Sequence, residues 1–267
     1  MSQAYEMHAK QVAEDIHSVM GLTFIPDATH LAAGMRQSAH GVVPGVLTQY
    51  GPVVAKPHAA RRYAHAELDN LESVAEENMP GLKVVEPIGV VSSYDRHILL
   101  TYREDIRPLS HLDWTPSSED RVRQDRLTKT FGRMATVAAA LHDRGISHGD
   151  LKIWNMAFAA DGSFIYFDAE KTVFNENVTE SEFGVRICHD LYSMGVSALW
   201  SGYLGDIKDN RVRANELSTV LLEPYFDALG YQPHLPVSYK DQPKIVERWT
   251  NDARFKPEWL LTVEKPA

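Results

Sequence analysis

Cysteine is the residue that this sequence uses least. The 267 residues contain a single cysteine, Cys188. An internal disulfide framework is therefore excluded, and a reducing compartment fits better than an oxidising one. We expect Cys188 to be a buried packing residue.

Long apolar runs are also missing. No stretch reaches the roughly 18 apolar residues that a membrane-spanning helix requires. No basic segment followed by an apolar core stands near the first residue, where a secretory signal would place one. We therefore expect a cytoplasmic protein without a membrane span.

Clusters of positive charge are the third absence. The formal net charge is −9, and no run of lysine or arginine stands out. This balance disfavours a partner that is recognised through a nucleic-acid backbone. Hydrophobic residues make up 44% of the chain, which is enough for a sizeable core or for two lobes around a cleft.

The stretch from 141 to 170 carries the most chemistry. Asp150 is followed by Lys152 and Asn155, and an aromatic run ends at Asp168. An aspartate and an asparagine that can share a divalent metal, beside a second aspartate and a lysine, suit phosphoryl transfer. That reaction depends on charge neutralisation and positioning more than on covalent chemistry.

Three motifs, two in this region and one after it, resemble a known family. His148–Asn155 reads His-Gly-Asp-Leu-Lys-x-x-Asn and is similar to the catalytic loop H-R-D-L-x-x-x-N of the protein-kinase-like superfamily. Asp168–Glu170 stands where that family has D-F-G, and Asp190–Gly195 resembles the D-x-W-S-x-G start of its large C-lobe helix. The glycine at 149 is typical of atypical branches, such as RIO-type kinases, lipopolysaccharide sugar kinases and aminoglycoside phosphotransferases.

The resemblance implies an α+β, two-lobed kinase-like fold with the active site between a β-rich N-lobe and a helical C-lobe. On that basis we expect an N-terminal helical extension at 1–29, the N-lobe at 30–103 and the C-lobe at 104–267. It also implies ATP and Mg²⁺ as cofactors and a hydroxyl group as the phosphoryl acceptor.

Roles within the catalytic loop follow from the same resemblance. Asp150 would orient the attacking hydroxyl or accept its proton, and Lys152 would stabilise the transferred phosphoryl group. Asn155 and Asp168 would hold magnesium. His148 is expected to pack and hydrogen-bond rather than act as a base. Asp190 is expected to be a buried acid that braces the catalytic loop.

A lysine and a glutamate are expected to bind the nucleotide phosphates together. Residues 51–56 alternate into Lys56, as the V-A-I-K strand of the family does, and Lys56 would pair the α and β phosphates. Glu67 is the preferred partner because it shares a helical face with Leu71 and Val74. Glu72 is the rival.

Two further positions are expected to contact the nucleotide. The G-x-G-x-x-G pattern is absent, but the stretch from Ser38 to Gly41 resembles the short phosphate-covering loop of RIO-type kinases; an ordinary hairpin turn is the alternative. Tyr102 lies where the family has its hinge, whose backbone groups bind adenine.

Periodicity and breaker residues predict the secondary structure. We expect strands in 22–56, at 82–91 and at 96–102. Helices are predicted over 2–20, 59–79, about 118–144, 190–202, 211–229 and 241–252. The first helix is expected to pack on the smaller lobe.

The acceptor stays open at this point. An atypical protein serine/threonine kinase is the preferred interpretation. A kinase acting on a sugar, an antibiotic or a lipid head group and a nucleotide-binding pseudokinase are the alternatives. The segment from Asp168 to Asp190 is short, with Thr172, Thr179 and Ser181 as its hydroxyls. We therefore expect no requirement for activation-loop phosphorylation.

Overall fold

The computed structural model of the chain describes residues 3–27, 41–93, 96–103, 107–108, 120–152, 155, 157–159, 161–200 and 218–230. Its fold class is α+β, with an antiparallel sheet of five strands. Contacts divide the chain into two units: Met1–Arg107 with Phe158–Glu170, and Pro108–Ala157 with Lys171–Ala267. In the described part of the chain, no helix is both long and apolar enough to cross a bilayer.

The first unit is built on the five-stranded sheet, whose strand order is β1-β2-β3-β6-β5. Strand β3 is central and pairs antiparallel with both β2 and β6. Its inward residues Val53 and Ala55 are fully buried, as the two-residue period of a strand requires. The strands are β1 (Phe24–Pro26), β2 (Val43–Leu47), β3 (Gly51–His58), β4 (Leu82–Val84), β5 (Pro87–Ser92) and β6 (His97–Tyr102).

Two helices belong to the first unit. Helix α1 (Gln3–Met20) packs on the sheet, with Val12 and Ile16 fully buried at a four-residue spacing. This confirms that the first helix packs against the β-rich part of the chain. Helix α2 (Arg61–Glu76) turns Ala64, Glu67, Leu71 and Val74 inward, a spacing that keeps them on one helical face.

The predicted strand over 82–91 is confirmed in part: it is divided into two strands, because the chain changes partner at its middle. Strand β4 pairs in parallel with β10 (Phe164–Tyr166), and the amide of Val85 still donates to Tyr166 O at 3.0 Å. One residue later the carbonyl of Glu86 accepts from Tyr102 N at 2.8 Å, and β5 continues along β6. The hairpin of β5 and β6 was predicted correctly.

Helices dominate the described part of the second unit. Helix α3 (Asp120–Asp143) is terminated by Gly145, two residues after its last residue. The φ of Gly145 is +74°, the C′ geometry expected of glycine. Strands β8 (Ile146–Ser147) and β11 (Val173–Phe174) pair antiparallel. Helix α4 (Glu180–Trp200) follows, and a π-helical turn at Ser218–Leu222 leads into α5 (Glu223–Leu229). The two-residue strands β7 (Arg107–Pro108) and β9 (Ala157–Phe158) each contain a position in the sequence at which one unit ends and the other begins.

The predicted start of a helix near Asp190 is wrong by ten residues, because α4 begins at Glu180. Thr179 caps it: the Thr179 amide donates to Glu182 Oε2 at 2.9 Å, and the Glu182 amide donates to Thr179 Oγ1 at 3.3 Å. This reciprocal pair is a capping box. Asp190 is therefore a mid-helix residue. Cys188 in the same helix is buried, as expected, and burial raises the pKa of its thiol to about 12.

Some sequence-based predictions fall wholly or largely outside the described residues. These include the helix at 241–252, the first part of the helix at 211–229, and most of the loop from Ser38 to Gly41.

Candidate functional site

Lys56 of β3 is buried against Glu67 of α2 in the first unit. The Lys56 ammonium donates to Glu67 Oε1 at 2.9 Å and to Oε2 at 2.7 Å. Glu67 is 2% exposed, whereas Glu72 on the same helix is exposed. The preference for Glu67 over Glu72 as the partner of Lys56 is therefore confirmed.

Two further carboxylates approach the same ammonium. Lys56 forms an ion pair with Asp168, and Glu170 Oε2 lies 3.8 Å from Lys56 Nζ. One formal positive charge thus faces three carboxylates. Burial by itself lowers the pKa of Lys56, but the charges of Glu67 and Asp168 outweigh it, so the pKa lies above its ordinary value.

His58 completes this group, and sequence reasoning missed it. It follows Lys56 by two residues on β3, so both side chains leave the same face of the sheet. His58 Nε2 lies 3.0 Å from Glu67 Oε2, and the His58 side chain is 1% exposed. We call Lys56, His58, Glu67, Asp168 and Glu170 the Lys56 cluster.

The Lys56 cluster contains a donor set with metal-like spacing. Ligand atoms of His58, Glu67 and Glu170 all lie within 4.8 Å of one another. The Lys56 ammonium, however, is hydrogen-bonded to both oxygens of Glu67. A cation already occupies that carboxylate, so this triad is better described as part of an ion-pair network than as a metal centre.

The backbone at Asp168 is in a conformation that aspartate adopts only occasionally. Its φ is +58°, in the left-handed region. Asn70, one turn after Glu67 on α2, donates its side-chain amide to the carbonyl of the next residue, Ala169, at 2.8 Å. Asn70 therefore anchors the segment that presents Asp168. The three-residue spacing of Asn70 from Glu67 could have shown that the two lie near one another on the helix. Nothing in the sequence indicated that Asn70 contacts Ala169.

Ser38, Gly41 and Tyr102 are the other residues for which nucleotide contact was predicted. Ser38 lies outside the described residues. The carbonyl of Gly41 accepts from His8 Nε2 of α1 at 2.7 Å. The amide of Tyr102 donates to Glu86 O at 2.8 Å, so that amide is already used within the sheet.

Asp150 in the second unit has the opposite surroundings. Lys152 forms an ion pair with Asp150 Oδ1, and Lys171 Nζ donates to Oδ2 at 2.9 Å. Burial raises the pKa of Asp150, but the two lysines together outweigh it and hold the pKa below its ordinary value. We call Asp150, Lys152 and Lys171 the Asp150 cluster. Lys171 was not predicted from the sequence.

Asn155 is tied to the same loop. Its side-chain amide nitrogen donates to the carbonyl of Asp150 at 3.1 Å. This bond fixes the orientation of the amide group, so its oxygen points to the other side of the side chain. Lys152, Asp150 and Asn155 are thus brought together in the second unit, whereas Lys56, Glu67 and Asp168 are brought together in the first.

Asp190 braces the loop that carries Asp150, as expected. It is fully buried, and its carboxylate accepts from the amides of His148 at 2.9 Å and Gly149 at 2.8 Å and from Ser147 Oγ at 2.8 Å. Burial raises the pKa of Asp190, but the hydrogen bond and charge of His142 outweigh it, so the pKa lies below its ordinary value.

His142 extends this brace to α5. Its Nε2 lies 3.2 Å from Asp190 Oδ2, and its Nδ1 lies 2.7 Å from the hydroxyl of Tyr225. Both rings are buried. His148 is also fully buried, which agrees with the packing role expected for it.

Comparison with known proteins adds no family. No protein-family model matches the chain, and no curated protein matches its sequence at a significant level.

Proposed function

We propose that this protein is an ATP- and magnesium-dependent phosphotransferase with a kinase-like two-lobed fold, and that its acceptor is a serine or threonine hydroxyl of a protein. One observation carries the proposal: Lys56, Glu67 and Asp168, assigned separately from the sequence and up to 112 positions apart, meet in one ion-pair group around the buried ammonium of Lys56. A lysine oriented by a glutamate, beside an acid, is the arrangement that phosphate binding in this family requires.

In the first unit we assign Lys56 to the α and β phosphates, with Glu67 holding its ammonium in place and His58 in turn contacting Glu67. The three carboxylates of the Lys56 cluster exceed its one lysine charge by two. This excess suits the addition of a divalent cation, and Asp168, whose side chain is 29% exposed, is the carboxylate we assign to it.

Magnesium prefers oxygen ligands. Asp168 offers a carboxylate, and Asn155 offers an amide oxygen because its nitrogen is engaged by Asp150 O. Each of these two donors therefore suits the ion. When bound, magnesium supplies neutralisation of charge on the phosphate oxygens.

In the second unit we assign Asp150 to the acceptor hydroxyl. Phosphoryl transfer passes through a loose transition state in most analyses, so orientation of the nucleophile counts for more than early proton removal. A carboxylate whose pKa is held low by two lysines stays ionised and can accept a hydrogen bond from the hydroxyl. Lys152 neutralises charge on the transferred group.

A small hydroxyl compound, such as a sugar, an antibiotic or a lipid head group, is the second candidate acceptor. The observation that favours it is the early start of α4 at Glu180. Residues 169–179 alone separate Asp168 from that helix, whereas conventional protein kinases use a longer segment to dock a peptide. A third possibility is nucleotide binding without phosphoryl transfer. The experiment below distinguishes it from transfer to a protein and from transfer to a small hydroxyl compound.

The test is to incubate the protein with γ-labelled ATP, magnesium and a lysate of its source cells, and then to separate labelled protein from labelled small molecules. Label in protein that Asp150→Asn abolishes is the expected result. Label only in small molecules would select the second acceptor class. Calorimetry with magnesium and a non-hydrolysable ATP analogue completes the design, and Lys56→Ala and Asp168→Ala should both weaken binding. Binding without transfer would indicate a pseudokinase, and absence of both would refute the proposal.

A further inference from the structure

Gly149 stands next to Asp150 in a conformation that glycine adopts easily. Its φ is +79°, in the left-handed region where a Cβ is disfavoured. A Cβ built at this position would lie 2.9 Å from Lys171 Cβ and 3.0 Å from the Lys171 carbonyl carbon, closer than normal carbon contacts. The chain at Lys171 therefore packs directly on the space that a side chain at 149 would fill.

Backbone hydrogen bonds between the residues just before Gly149 and those just after Lys171 fix this close approach. Strand β8, just before Gly149, pairs with β11, just after Lys171, in the register Ser147↔Val173 and Ile146↔Phe174. The amide of Asn175 then donates to Gly145 O at 2.7 Å. The position of Lys171 relative to the catalytic loop is thus set by the main chain rather than by its own flexible side chain.

From that position Lys171 reaches the carboxylate of Asp150. Its ammonium donates to Oδ2 at 2.9 Å, while Lys152 pairs with Oδ1. The two carboxylate oxygens are therefore held by two different lysines on two different segments. The Lys171 side chain is 42% exposed, whereas Asp150 is 11% exposed, so solvent screens Lys171 more than it screens Asp150.

We infer that Lys171 is a positioning residue for Asp150, and that the lack of a side chain at Gly149 leaves the space that Lys171 needs to approach it. This inference rests on the proposed function, because it assigns Lys171 a task within the acceptor end of that site. The terminal torsion of an aspartate side chain is broad, so a carboxylate held at one oxygen can still rotate about it. Held at both oxygens, the carboxylate presents one fixed set of lone pairs to the acceptor hydroxyl.

The first test compares Lys171→Met with Lys171→Arg in the full-length protein, with transfer from γ-labelled ATP to water and to lysate acceptors as the readout. Loss of orientation should lower kcat by about 10- to 100-fold in Lys171→Met, since small misplacements of reacting groups have effects of that size. The KM for ATP should change less than about twofold, because Lys171 contacts Asp150 and not Lys56. Lys171→Arg should recover most of kcat.

Lys10→Met is the matched control. Lys10 also pairs with a carboxylate, Glu14, at 3.9 Å, but on the exposed surface of α1 with a side chain that is 78% exposed. This variant should leave kcat and KM unchanged. Melting temperatures of all three variants should remain close to that of the unaltered protein, because exposed or half-exposed ion pairs contribute little stability.

Gly149→Ala provides an independent second variant. The added methyl group collides with Lys171, so Gly149→Ala should lower kcat in the same direction. Lys171→Met should then lower kcat much less in the Gly149→Ala background than in the unaltered protein, since the effects of substitutions at coupled residues are not additive. If Gly149→Ala does not fold, the Lys171 pair of variants still decides.

Unchanged kcat in Lys171→Met would overturn the inference. So would equal losses in Lys171→Met and Lys171→Arg that follow a drop in melting temperature, which would indicate a purely structural role. Asp150→Asn separates these results from failure of the proposed function. If the unaltered protein transfers phosphate and Asp150→Asn transfers it equally well, the proposed function is refuted. If the unaltered protein shows no transfer, both the proposed function and the inference about Lys171 are refuted.

Discussion

The Lys56 cluster and the Asp150 cluster have opposite charge designs. In the first unit, one buried ammonium faces three carboxylates. In the second, one buried carboxylate lies between two ammonium groups. The first surplus is negative, which suits the metal-bound nucleotide that we propose. The second surplus is positive and holds the pKa of Asp150 below its ordinary value, which suits the proposed role of this carboxylate towards an uncharged hydroxyl.

The two clusters also differ in how they are held. The Lys56 cluster is held by side chains from one strand and one helix, with His58 and Asn70 as supports. The Asp150 cluster is held through its backbone, by the carboxylate of Asp190. A substitution in the first cluster should therefore act mainly on nucleotide binding, whereas one behind the second should act on the stability of the fold.

Asp150→Asn should produce the largest effect on activity. Loss of the orienting carboxylate is expected to lower turnover by about 10²- to 10⁴-fold, with affinity for magnesium and an ATP analogue nearly unchanged because Asp150 lies outside the Lys56 cluster. Labelled-phosphate transfer and calorimetry measure the two quantities. Asp161→Asn, an exposed aspartate, is the control, and near-normal turnover in Asp150→Asn would contradict its assigned role.

Asp190→Asn should produce the largest effect on stability. The substitution removes a buried charge that binds two amides, a hydroxyl and His142, and losses of about 3–5 kcal/mol are typical when one partner of a buried pair is removed. Urea unfolding monitored by circular dichroism measures the change. A loss below about 1 kcal/mol would show that the brace is not required.

The same variant has a pH signature. Because the folded-state pKa of Asp190 is lowered, its contribution is present above the unfolded-state pKa and disappears as the pH falls through the folded-state value. Asp190→Asn should therefore lose less stability on acidification than the unaltered protein does.

Glu67→Gln tests the charge of the Lys56 cluster. The amide keeps the shape of the glutamate but removes a charge-assisted bond of about 1.5–3 kcal/mol, so kcat/KM for ATP should fall by roughly 10- to 100-fold. Glu72→Gln on the same helix is the matched control and should stay within about 0.5 kcal/mol. Equal effects of the two substitutions would mean that the pairing with Lys56 has no functional weight.

Thr179→Ala should have a smaller effect, confined to stability. It removes the N-terminal cap of α4, which typically contributes about 1 kcal/mol. Thermal and urea unfolding should detect the loss, while turnover stays within about twofold. Glu176→Ala, an exposed change four residues from the helix start, controls for general effects on this segment. A large loss of turnover in Thr179→Ala would indicate a role for its hydroxyl beyond capping.

Phosphatase treatment should have the smallest effect. Thr172 is buried and Thr179 is used as a cap, and the strand pairing of β8 with β11 already orders the segment between Lys171 and α4 without a phosphate. Initial rates of phosphoryl transfer by the treated and untreated protein should agree, with intact-mass spectra confirming the phosphate count. A tenfold loss, reproduced by Ser181→Ala or by a threonine variant, would correspond to about 1.4 kcal/mol of barrier and contradict this expectation.

Local patterns determined much of what the sequence predicted correctly. The four-residue spacings in α1 and α2 decided which faces are buried, and the same periodicity selected Glu67 over Glu72. Gly145 ended α3 where a left-handed residue was needed. The start of α4 is also encoded by a local pattern, the Thr-Glu-Ser-Glu at 179–182. The motif at Asp190 instead led to a predicted helix start ten residues too late.

Only the tertiary structure decided the remaining contacts. His58, Asn70 and Lys171 carry no motif, and each acquires its role from a partner that a different part of the chain delivers. The break between β4 and β5 likewise depends on two strands, β10 and β6, that the local sequence cannot specify. Periodicity reports which side of an element is buried, because that depends on the element alone. Which residue contacts that buried side depends on how distant segments of the chain pair. The free energy of that pairing is shared across the whole fold.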